Sequence, residues 1–273
     1  MHDWLAAVIL GIVEGLTEFL PVSSTGHLIL AGELLGFVGE RAGTFEIFIQ
    51  LGAILAVLWL YRERFARLVG DGMAGRALVP RAGSPGLTWA HLVVAMAPVL
   101  AAGALLRGTI REHLFTSSTV LVGLVVGAIY MVGAEVAARR RPATADSLDS
   151  LSLAQALGIG CLQCLSLWPG FSRSGATIGG GLVAGLDRRT AAEFSFVLAV
   201  PVMIAATGYD LVRSLELLDR SFALTLALGF AVSFVVAWVA VVGFLKVVAR
   251  VSLTPFALYR VALAAVYALV VLR

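Results

Sequence analysis

Apolar segments of membrane-spanning length recur along the chain and limit the folds it can adopt. A helix needs about 20 residues to cross the hydrocarbon core of a bilayer. Segments of about this length lie near 45–61, 89–106, 116–138, 191–212, 222–245 and 255–272. Only 14% of all residues are charged, against roughly 25% in an ordinary soluble domain. We therefore predict an all-α integral membrane protein with about six transmembrane helices, forming a single membrane domain over residues 1–273.

Two further apolar regions, 4–37 and 151–185, are interrupted by polar and helix-breaking residues. The interruptions read "PVSSTG" at 21–26 and "PGFSRSG" at 169–175. Irregular backbone at membrane depth is tolerated only where protein or a water-filled cavity surrounds it. Each region is therefore predicted to form a re-entrant helix-loop-helix segment whose break lines a cavity.

The two interrupted regions belong to a weak internal repeat with an offset of 149 residues. Ten identities occur over the 46 positions from Gly11 to Ala56, several of them glycines. Three predicted spans separate the copies, and an odd number inverts the second copy. We therefore expect an inverted-topology repeat with halves of approximately 1–138 and 151–273, whose two breaks meet near the midplane as in many transporter folds.

The distribution of Lys and Arg between the connecting segments predicts the orientation. Twelve basic residues lie in one set of segments, near 62–88, 139–150, 186–190 and 246–254. Five lie in the other set, near 38–44, 107–115 and 213–221. The positive-inside rule makes the richer set cytoplasmic and places both termini outside.

Glu14 and Glu18 precede the first break with a spacing of four residues. On a helix such side chains share one face, about 5–6 Å apart. Two carboxylates in a low dielectric repel each other unless a cation lies between them, and Mg²⁺ binds such carboxylates together with substrate phosphates. The alternative is that the pair faces water at the membrane rim.

The first break offers hydroxyls and a helix start. Ser23, Ser24, Thr25 and Gly26 precede an apolar run that reads as a helix. Their backbone N–H groups would therefore lie at a helix N-terminus, which binds anions. His27 in the first turn could move a proton or orient a hydroxyl. The alternative assigns the serines to ordinary capping and His27 to packing.

The second break supplies Arg173, flanked by Ser172 and Ser174, with Thr177 one turn later. An arginine within apolar sequence needs an anionic partner, and its planar guanidinium fits phosphate with two hydrogen bonds. The alternative is an internal salt bridge to one of the two glutamates of the first break.

Other polar positions are less informative. Glu46 and Gln50 could face the same cavity or hydrogen-bond between helices, and Arg260 is expected to snorkel towards the membrane surface. The CxxC at 161–164 has no second ligand pair, so we assign it a structural role. The net charge of +3 comes with short arginine clusters between apolar segments, which gives no indication of nucleic-acid binding.

Two motifs resemble a known family. "EGLTEFLPVSSTGH" at 14–27 and "PGFSRSGAT" at 169–177 are similar to the signature regions of the bacterial undecaprenyl-diphosphate phosphatases, also called bacitracin-resistance proteins. The resemblance implies an inner-membrane hydrolase that removes the terminal phosphate of undecaprenyl diphosphate and so recycles the carrier for peptidoglycan. It further implies a site on the outer side, dependence on a divalent cation (Mg²⁺ favoured, Ca²⁺ the alternative), and competition with bacitracin for the substrate.

By position in these motifs, the resemblance implies that Glu14 and Glu18 are the acidic pair that holds the metal. Ser24 would be the nucleophile, His27 its acid-base partner and Arg173 the phosphate clamp. The remaining diphosphate-binding positions would be Ser23, Thr25, Gly26, Ser172, Ser174 and Thr177. Direct attack by water is the alternative to attack by Ser24. The oligomeric state stays open, a homodimer included.

Three other functions compete with this hypothesis. A membrane transporter or lipid flippase would use the same inverted repeat. A type-2 phosphatidic acid phosphatase requires a histidine at the place of Gly179, and no histidine follows Arg173. A purely structural membrane protein would have no need for ionisable groups at two helix breaks, since each costs about 2.5–3.5 kcal/mol at the bilayer centre.

Overall fold

The described part of the chain is mostly helical. The structure, a computed structural model, describes residues 3–73, 86–114, 116–140, 142–213 and 220–271. The α-helices are α1 Asp3–Thr17, α2 Ser24–Leu35, α3 Glu40–Leu60, α4 Arg62–Met73, α5 Trp89–Leu105, α6 Arg107–His113, α7 Ser117–Ala138, α8 Leu153–Gln163, α9 Arg173–Val183, α10 Arg188–Arg213, α11 Arg220–Val248 and α12 Thr254–Val271. Short 3₁₀ helices cover Leu148–Ser150 and Cys164–Leu167. Within these ranges the only strand-type pairing is an isolated bridge between Ala145 and Leu186, so the predicted all-α class is confirmed.

The six predicted spans correspond to α3, α5, α7, α10, α11 and α12. Five of these helices are long and apolar enough to cross a membrane. The sixth, α5, is a shorter apolar helix of 17 residues, which is at the lower end of the usual range. The prediction of a multi-pass membrane protein is therefore confirmed.

Each interrupted region forms a pair of helices, α1 with α2 and α8 with α9, as predicted. Their packing partners correspond by the order of the long helices in each half: α1 packs on α11 where α8 packs on α5, and α2 packs on α12 where α9 packs on α7. α3 and α10 pack on each other between the two halves. The inverted orientation of the halves in a bilayer stays a prediction.

One pair of glycines shared by the repeat, Gly11 and Gly160, lies where helices approach closely. A Cβ atom on Gly11 of α1 would lie 2.8 Å from the carbonyl oxygen of Gly229 on α11. A Cβ atom on Gly160 of α8 would collide with the backbone of Ala95 on α5. Small residues permit such contacts between membrane helices, which explains why the glycine spacing is the clearest part of the repeat.

Two connecting segments contain helices that the sequence did not predict. The segment near 62–88 begins with α4, which is amphipathic because Phe65 and Leu68 turn one face towards the core, and α6 occupies most of 107–115. The N-terminal end of α4 is held by Arg64, which donates to both carboxylate oxygens of Asp149 at 2.6 and 3.1 Å. That hydrogen bonding lowers the pKa of Asp149. Three of the basic residues used to predict the orientation, Arg76, Arg81 and Arg141, lie outside the described residues.

Candidate active site

Both helix breaks place a serine in a backbone conformation that serine rarely adopts. Ser23 has φ 73° and Ser172 has φ 77°, and they are the only non-glycine residues with positive φ in the described ranges. Each serine caps the following helix: the Ser23 Oγ accepts from the Gly26 N–H at 3.4 Å, and the Ser172 Oγ accepts from the Gly175 N–H at 3.1 Å. Such strain costs about 1–3 kcal/mol and concentrates at functional sites.

The two breaks meet in the structure, as the sequence predicted. The Nη2 of Arg173 donates to the Oε1 of Glu18 at 3.0 Å, and the Ser174 hydroxyl donates to the carbonyl oxygen of Leu20 at 2.8 Å. Both members of the ion pair are largely buried, with side-chain exposures of 13% and 5%. Residues more than 150 positions apart therefore form one polar cluster.

Glu18 connects this ion pair to a hydroxyl. The Ser24 Oγ donates to the Oε2 of Glu18 at 2.5 Å, while the Oε1 accepts from Arg173. A hydroxyl whose proton faces a carboxylate, held in turn by a third group, is the arrangement of an activated nucleophile. The carboxylate is thus within reach to act as a general base for Ser24.

His27 contacts other groups than the expected one. Its Nδ1 lies 2.7 Å from the carbonyl oxygen of Ser23, and its Nε2 lies 2.7 Å from the Tyr259 hydroxyl. A carbonyl only accepts, so Nδ1 carries a proton, and in the neutral imidazole Nε2 accepts from the tyrosine. The expected pairing of His27 with the Ser24 hydroxyl is therefore wrong for this conformation, in which that hydroxyl binds Glu18. Tyr259 was not anticipated, because the contact spans 232 positions of sequence.

The contacts of Arg173 confirm the salt-bridge alternative, and its binding of phosphate stays a prediction. It forms the internal salt bridge with Glu18, and it also lines a cavity. Its Nη1 donates to the Ser195 carbonyl oxygen at 3.2 Å, and its Cζ lies 5.3 Å from the centre of the Phe19 ring. Its buried Nε has no hydrogen-bond partner among the described residues. One donor of the guanidinium is therefore unsatisfied in this structure.

The hydroxyls around Arg173 hold its backbone in place. The Thr177 Oγ1 donates to the Arg173 carbonyl oxygen at 2.9 Å and lies 2.5 Å from the Ser195 Oγ. The Ser172 and Ser174 hydroxyls lie 3.1 Å apart. Ser174 and Thr177 are each 1% exposed, so they lie behind the cavity wall in this structure and orient the start of α9.

Glu14 is buried one helical turn before Glu18. It is 1% exposed, and neither carboxylate oxygen has a hydrogen-bond partner among the described residues. It interacts electrostatically with Glu18, Glu46 and Arg173. A buried, unpartnered carboxylate requires a proton or a cation. One free carboxylate beside a second, together with a phosphate-bearing substrate, fits Mg²⁺, which typically takes one or two carboxylates plus phosphates and keeps several waters. No group of three or more His, Cys, Asp or Glu side chains able to hold a metal occurs in the described part.

A cavity of about 570 Å³ opens between the two breaks. The sequence-predicted site residues that line it are Glu18, Ser23, Ser24, Thr25, Ser172 and Arg173. The predicted residues that do not line it are Glu14, Gly26, His27, Ser174 and Thr177. Gln50 also lines the cavity, which was one of the two alternatives for this residue. Gln163 and Trp168 line it too and were not anticipated. Its volume is within the range of small-molecule sites.

Arg260 has a role that the sequence did not predict. It is fully buried, with 0% exposure, so the expected snorkelling is wrong. Its guanidinium donates to the carbonyl oxygens of Gly170 and Phe171, both at 2.8 Å, and of Gly123 at 3.2 Å. Gly127 leaves space for it, since a Cβ there would collide with the guanidinium. Arg260 therefore holds the backbone of the second break through its carbonyl oxygens. The sequence signal for this role was an arginine within an apolar span.

Comparison with known proteins identifies the family of this chain. The sequence model of the family described as bacitracin resistance protein BacA matches residues 7–266. Undecaprenyl-diphosphatase 1 of Bacillus thuringiensis (strain Al Hakam) is 50% identical over 272 residues, which is 100% of both chains. The undecaprenyl-diphosphatase of Nitratidesulfovibrio vulgaris (strain DP4) is 53% identical over 264 residues, which is 97% of each chain. The chain therefore belongs to the family of the bacitracin resistance protein BacA.

Proposed function

We propose that this protein hydrolyses undecaprenyl diphosphate to undecaprenyl phosphate and inorganic phosphate, which returns the lipid carrier to peptidoglycan and cell-wall polymer synthesis. Relatives that share about half of its residues over their full length carry the name undecaprenyl-diphosphatase. The observation that carries the proposal is the Ser24–Glu18–Arg173 chain at the cavity between the two breaks. It combines a nucleophile, a base and a phosphate-binding cation.

These contacts support a reaction in two steps. Arg173 and the N–H groups at the starts of α2 and α9 bind the terminal phosphate, as helix N-termini bind anions. Glu18 accepts the Ser24 proton while the Oγ–P bond forms and the bond from the terminal phosphorus to the bridging oxygen breaks. The proton then passes to the departing undecaprenyl phosphate. Water hydrolyses the phosphoserine, giving its proton through Glu18 to the serine oxygen.

Phosphoryl transfer depends chiefly on positioning and on neutralising charge. We propose that Glu14 and Glu18 hold a divalent cation, Mg²⁺ or Ca²⁺, which would neutralise charge on the diphosphate. The unpartnered oxygens of Glu14 support this assignment. His27 positions the nucleophile, because its ring ties the strained Ser23 backbone to Tyr259 on α12.

The location of the site follows from the substrate and the charge distribution. Removing a C55 chain from the bilayer is costly, at about 0.8 kcal/mol per CH₂, so the site has to be open to the lipid. We propose that the protein lies in the bacterial inner membrane with the cavity facing outwards, as the excess of basic residues in the opposite segments supports. Bacitracin, which binds the diphosphate, would then compete for the substrate.

Phosphate release from undecaprenyl diphosphate by the detergent-solubilised protein tests the proposal. We expect turnover that a chelator abolishes and added Mg²⁺ restores. Unchanged turnover with chelator would remove the cation from the mechanism while leaving the hydrolase. The alternative of a transporter or flippase predicts lipid movement across sealed vesicles without phosphate release, and that result would overturn the proposed function.

A further inference from the structure

Gln163 is a buried polar residue that no hydrogen bond in the structure explains. It ends α8, directly before the second break, and is 0% exposed. Neither its Nε2 nor its Oε1 has a hydrogen-bond partner among the described residues. Buried amides nearly always have partners, and leaving one without them is destabilising. A missing partner at such a position points to a group that comes from outside the chain.

A second glutamine on the same helix shows what a structural amide looks like here. The Nε2 of Gln155 donates to the Ala184 carbonyl oxygen at 3.0 Å and to the Thr144 hydroxyl at 3.1 Å. Its Oε1 accepts from the Ser152 N–H at 2.9 Å. Both polar side-chain atoms of Gln155 therefore have hydrogen-bond partners. Neither polar side-chain atom of Gln163 has one among the described residues.

The position of Gln163 identifies the missing partner. Gln163 lines the same cavity as Ser24 and Arg173. Its backbone is fixed by the Ser166 hydroxyl, which donates to its carbonyl oxygen at 2.7 Å. The ligand of this cavity, on the proposed function, carries a diphosphate whose oxygens accept hydrogen bonds.

The internal repeat adds an independent observation. The offset of 149 residues relates Gln163 to Glu14, and both are buried with no partner for either polar side-chain atom among the described residues. Both breaks thus carry an unpartnered polar side chain at the same place. The first break has a carboxylate there, which suits a cation, and the second has an amide, whose N–H groups suit an anion.

We infer that Gln163 is a substrate-binding residue whose side-chain N–H donates to an oxygen of the bound diphosphate. This inference rests on the proposed function for the identity of the anion. The neutral amide adds a donor to the cavity lining without adding charge, once the side chain turns towards the bound diphosphate. Substrate binding thereby satisfies a group that the empty cavity leaves unsatisfied.

Paired leucine substitutions test the inference on the full-length protein in detergent. Q163L removes the amide but keeps the approximate volume. We expect kcat/KM for undecaprenyl diphosphate to fall about 10- to 150-fold, the range for a hydrogen bond to a charged group, with an unchanged or higher Tm. Q155L is the control, because it should lower Tm and leave kcat/KM within about twofold of the wild type.

Further readings separate the possible failures. Q163E keeps the shape of the side chain but places a carboxylate beside the phosphate, so it should lose more activity than Q163L, and it replaces Q163L if that variant fails to fold. Wild-type kcat/KM in either folded variant would overturn the inference and leave the proposed function intact. Absence of phosphate release by the wild type would instead overturn the proposed function. The rise in Tm on adding undecaprenyl diphosphate, which Q163L should diminish, then decides whether the amide binds the lipid headgroup.

Discussion

The break before α2 and the break before α9 can be compared position by position, since 149 residues separate equivalent sites. Their backbones agree closely: Ser23 and Ser172 both have positive φ, and both cap the next helix through the N–H three residues on. Each break follows a helix that packs tightly through an equivalent glycine, Gly11 or Gly160. The repeat thus builds the same strained helix start twice.

The side chains at the two breaks divide the chemistry between them. Glu14 corresponds to Gln163, and Ser24 corresponds to Arg173. The first break therefore carries acids and a hydroxyl, and the second carries a cation and an amide. On the proposed mechanism the first break supplies the attacking hydroxyl, and the second supplies the guanidinium that binds the phosphate. The comparison teaches that a repeated backbone supplies the geometry, while differences at a few equivalent positions supply the function.

Replacing Arg173 should have the largest effect, because it removes the cation that the second break contributes. We expect Arg173→Ala to lower kcat by on the order of 10³–10⁵-fold, as with arginines that neutralise transferring phosphoryl groups. Phosphate release measures this. Arg189→Ala is the control, because Arg189 pairs with Glu193 on the surface of the same half. Near-normal turnover of Arg173→Ala would contradict the proposal that the second break supplies the phosphate-binding cation.

Changes to the nucleophile and its base test the first break. We expect Ser24→Ala and Glu18→Gln each to lower kcat by roughly 10²–10⁴-fold, because proton transfer and attack both depend on their contact. Trapping of a phosphorylated protein by rapid acid quench should succeed with the wild type and fail with Ser24→Ala. If Ser24→Ala turns over normally while Glu18→Gln does not, direct attack by water is the correct mechanism.

Arg260 donates hydrogen bonds to the backbone of the second break. Its replacement should therefore lower the free energy of unfolding. Arg260→Met leaves the carbonyl oxygens of Gly170 and Phe171 without their side-chain donor, at about 1–3 kcal/mol each, and we expect a loss of about 3 kcal/mol or more in unfolding free energy. Thermal unfolding in detergent measures it. Tyr259→Phe on the same helix, which removes one exposed hydrogen bond, should cost no more than about 1.5 kcal/mol. Equal losses in unfolding free energy for the two variants would show that the contacts of Arg260 stabilise the protein no more than one exposed hydrogen bond does.

Glu14→Gln makes the first break identical to the second at this position. We expect the Mg²⁺ concentration for half-maximal activity to rise roughly 10- to 100-fold, since the charge of the ligands controls the affinity for the ion. The rate of phosphate release at saturating Mg²⁺ should fall by a smaller factor than this. An unchanged Mg²⁺ requirement would mean that the unpartnered carboxylate of Glu14 is protonated rather than metal-bound.

The smallest effects should be the same at both breaks. Ser23→Ala and Ser172→Ala each remove a cap and keep a strained backbone, at about 1 kcal/mol or more of stability. Ser23→Gly and Ser172→Gly should cost only a few tenths of a kcal/mol, because glycine adopts positive φ without strain. Thermal unfolding of the four variants measures this. A large difference between the breaks would contradict their backbone equivalence.

Much of the fold was predictable because its signals are local. Each predicted span contains a helix, since about 20 apolar residues have few alternatives in a bilayer. The helices α4 and α6 were missed because they are short and lie in segments treated as connections. The breaks were found because proline and serine interrupt apolar sequence, and the membership of Glu18, Ser24 and Arg173 in one cluster followed from the repeat.

The sequence by itself determined the membrane class, the helices and the two places where polar groups enter the apolar interior, because apolar length and helix-breaking residues act over a few neighbouring positions. The tertiary structure alone decided which groups pair. Ser24 binds Glu18 rather than His27, Arg260 binds the backbone of the second break, and the Gln163 amide has no partner among the described residues. A donor takes the acceptor that packing brings within about 3 Å, and that choice depends on helices far apart in the chain.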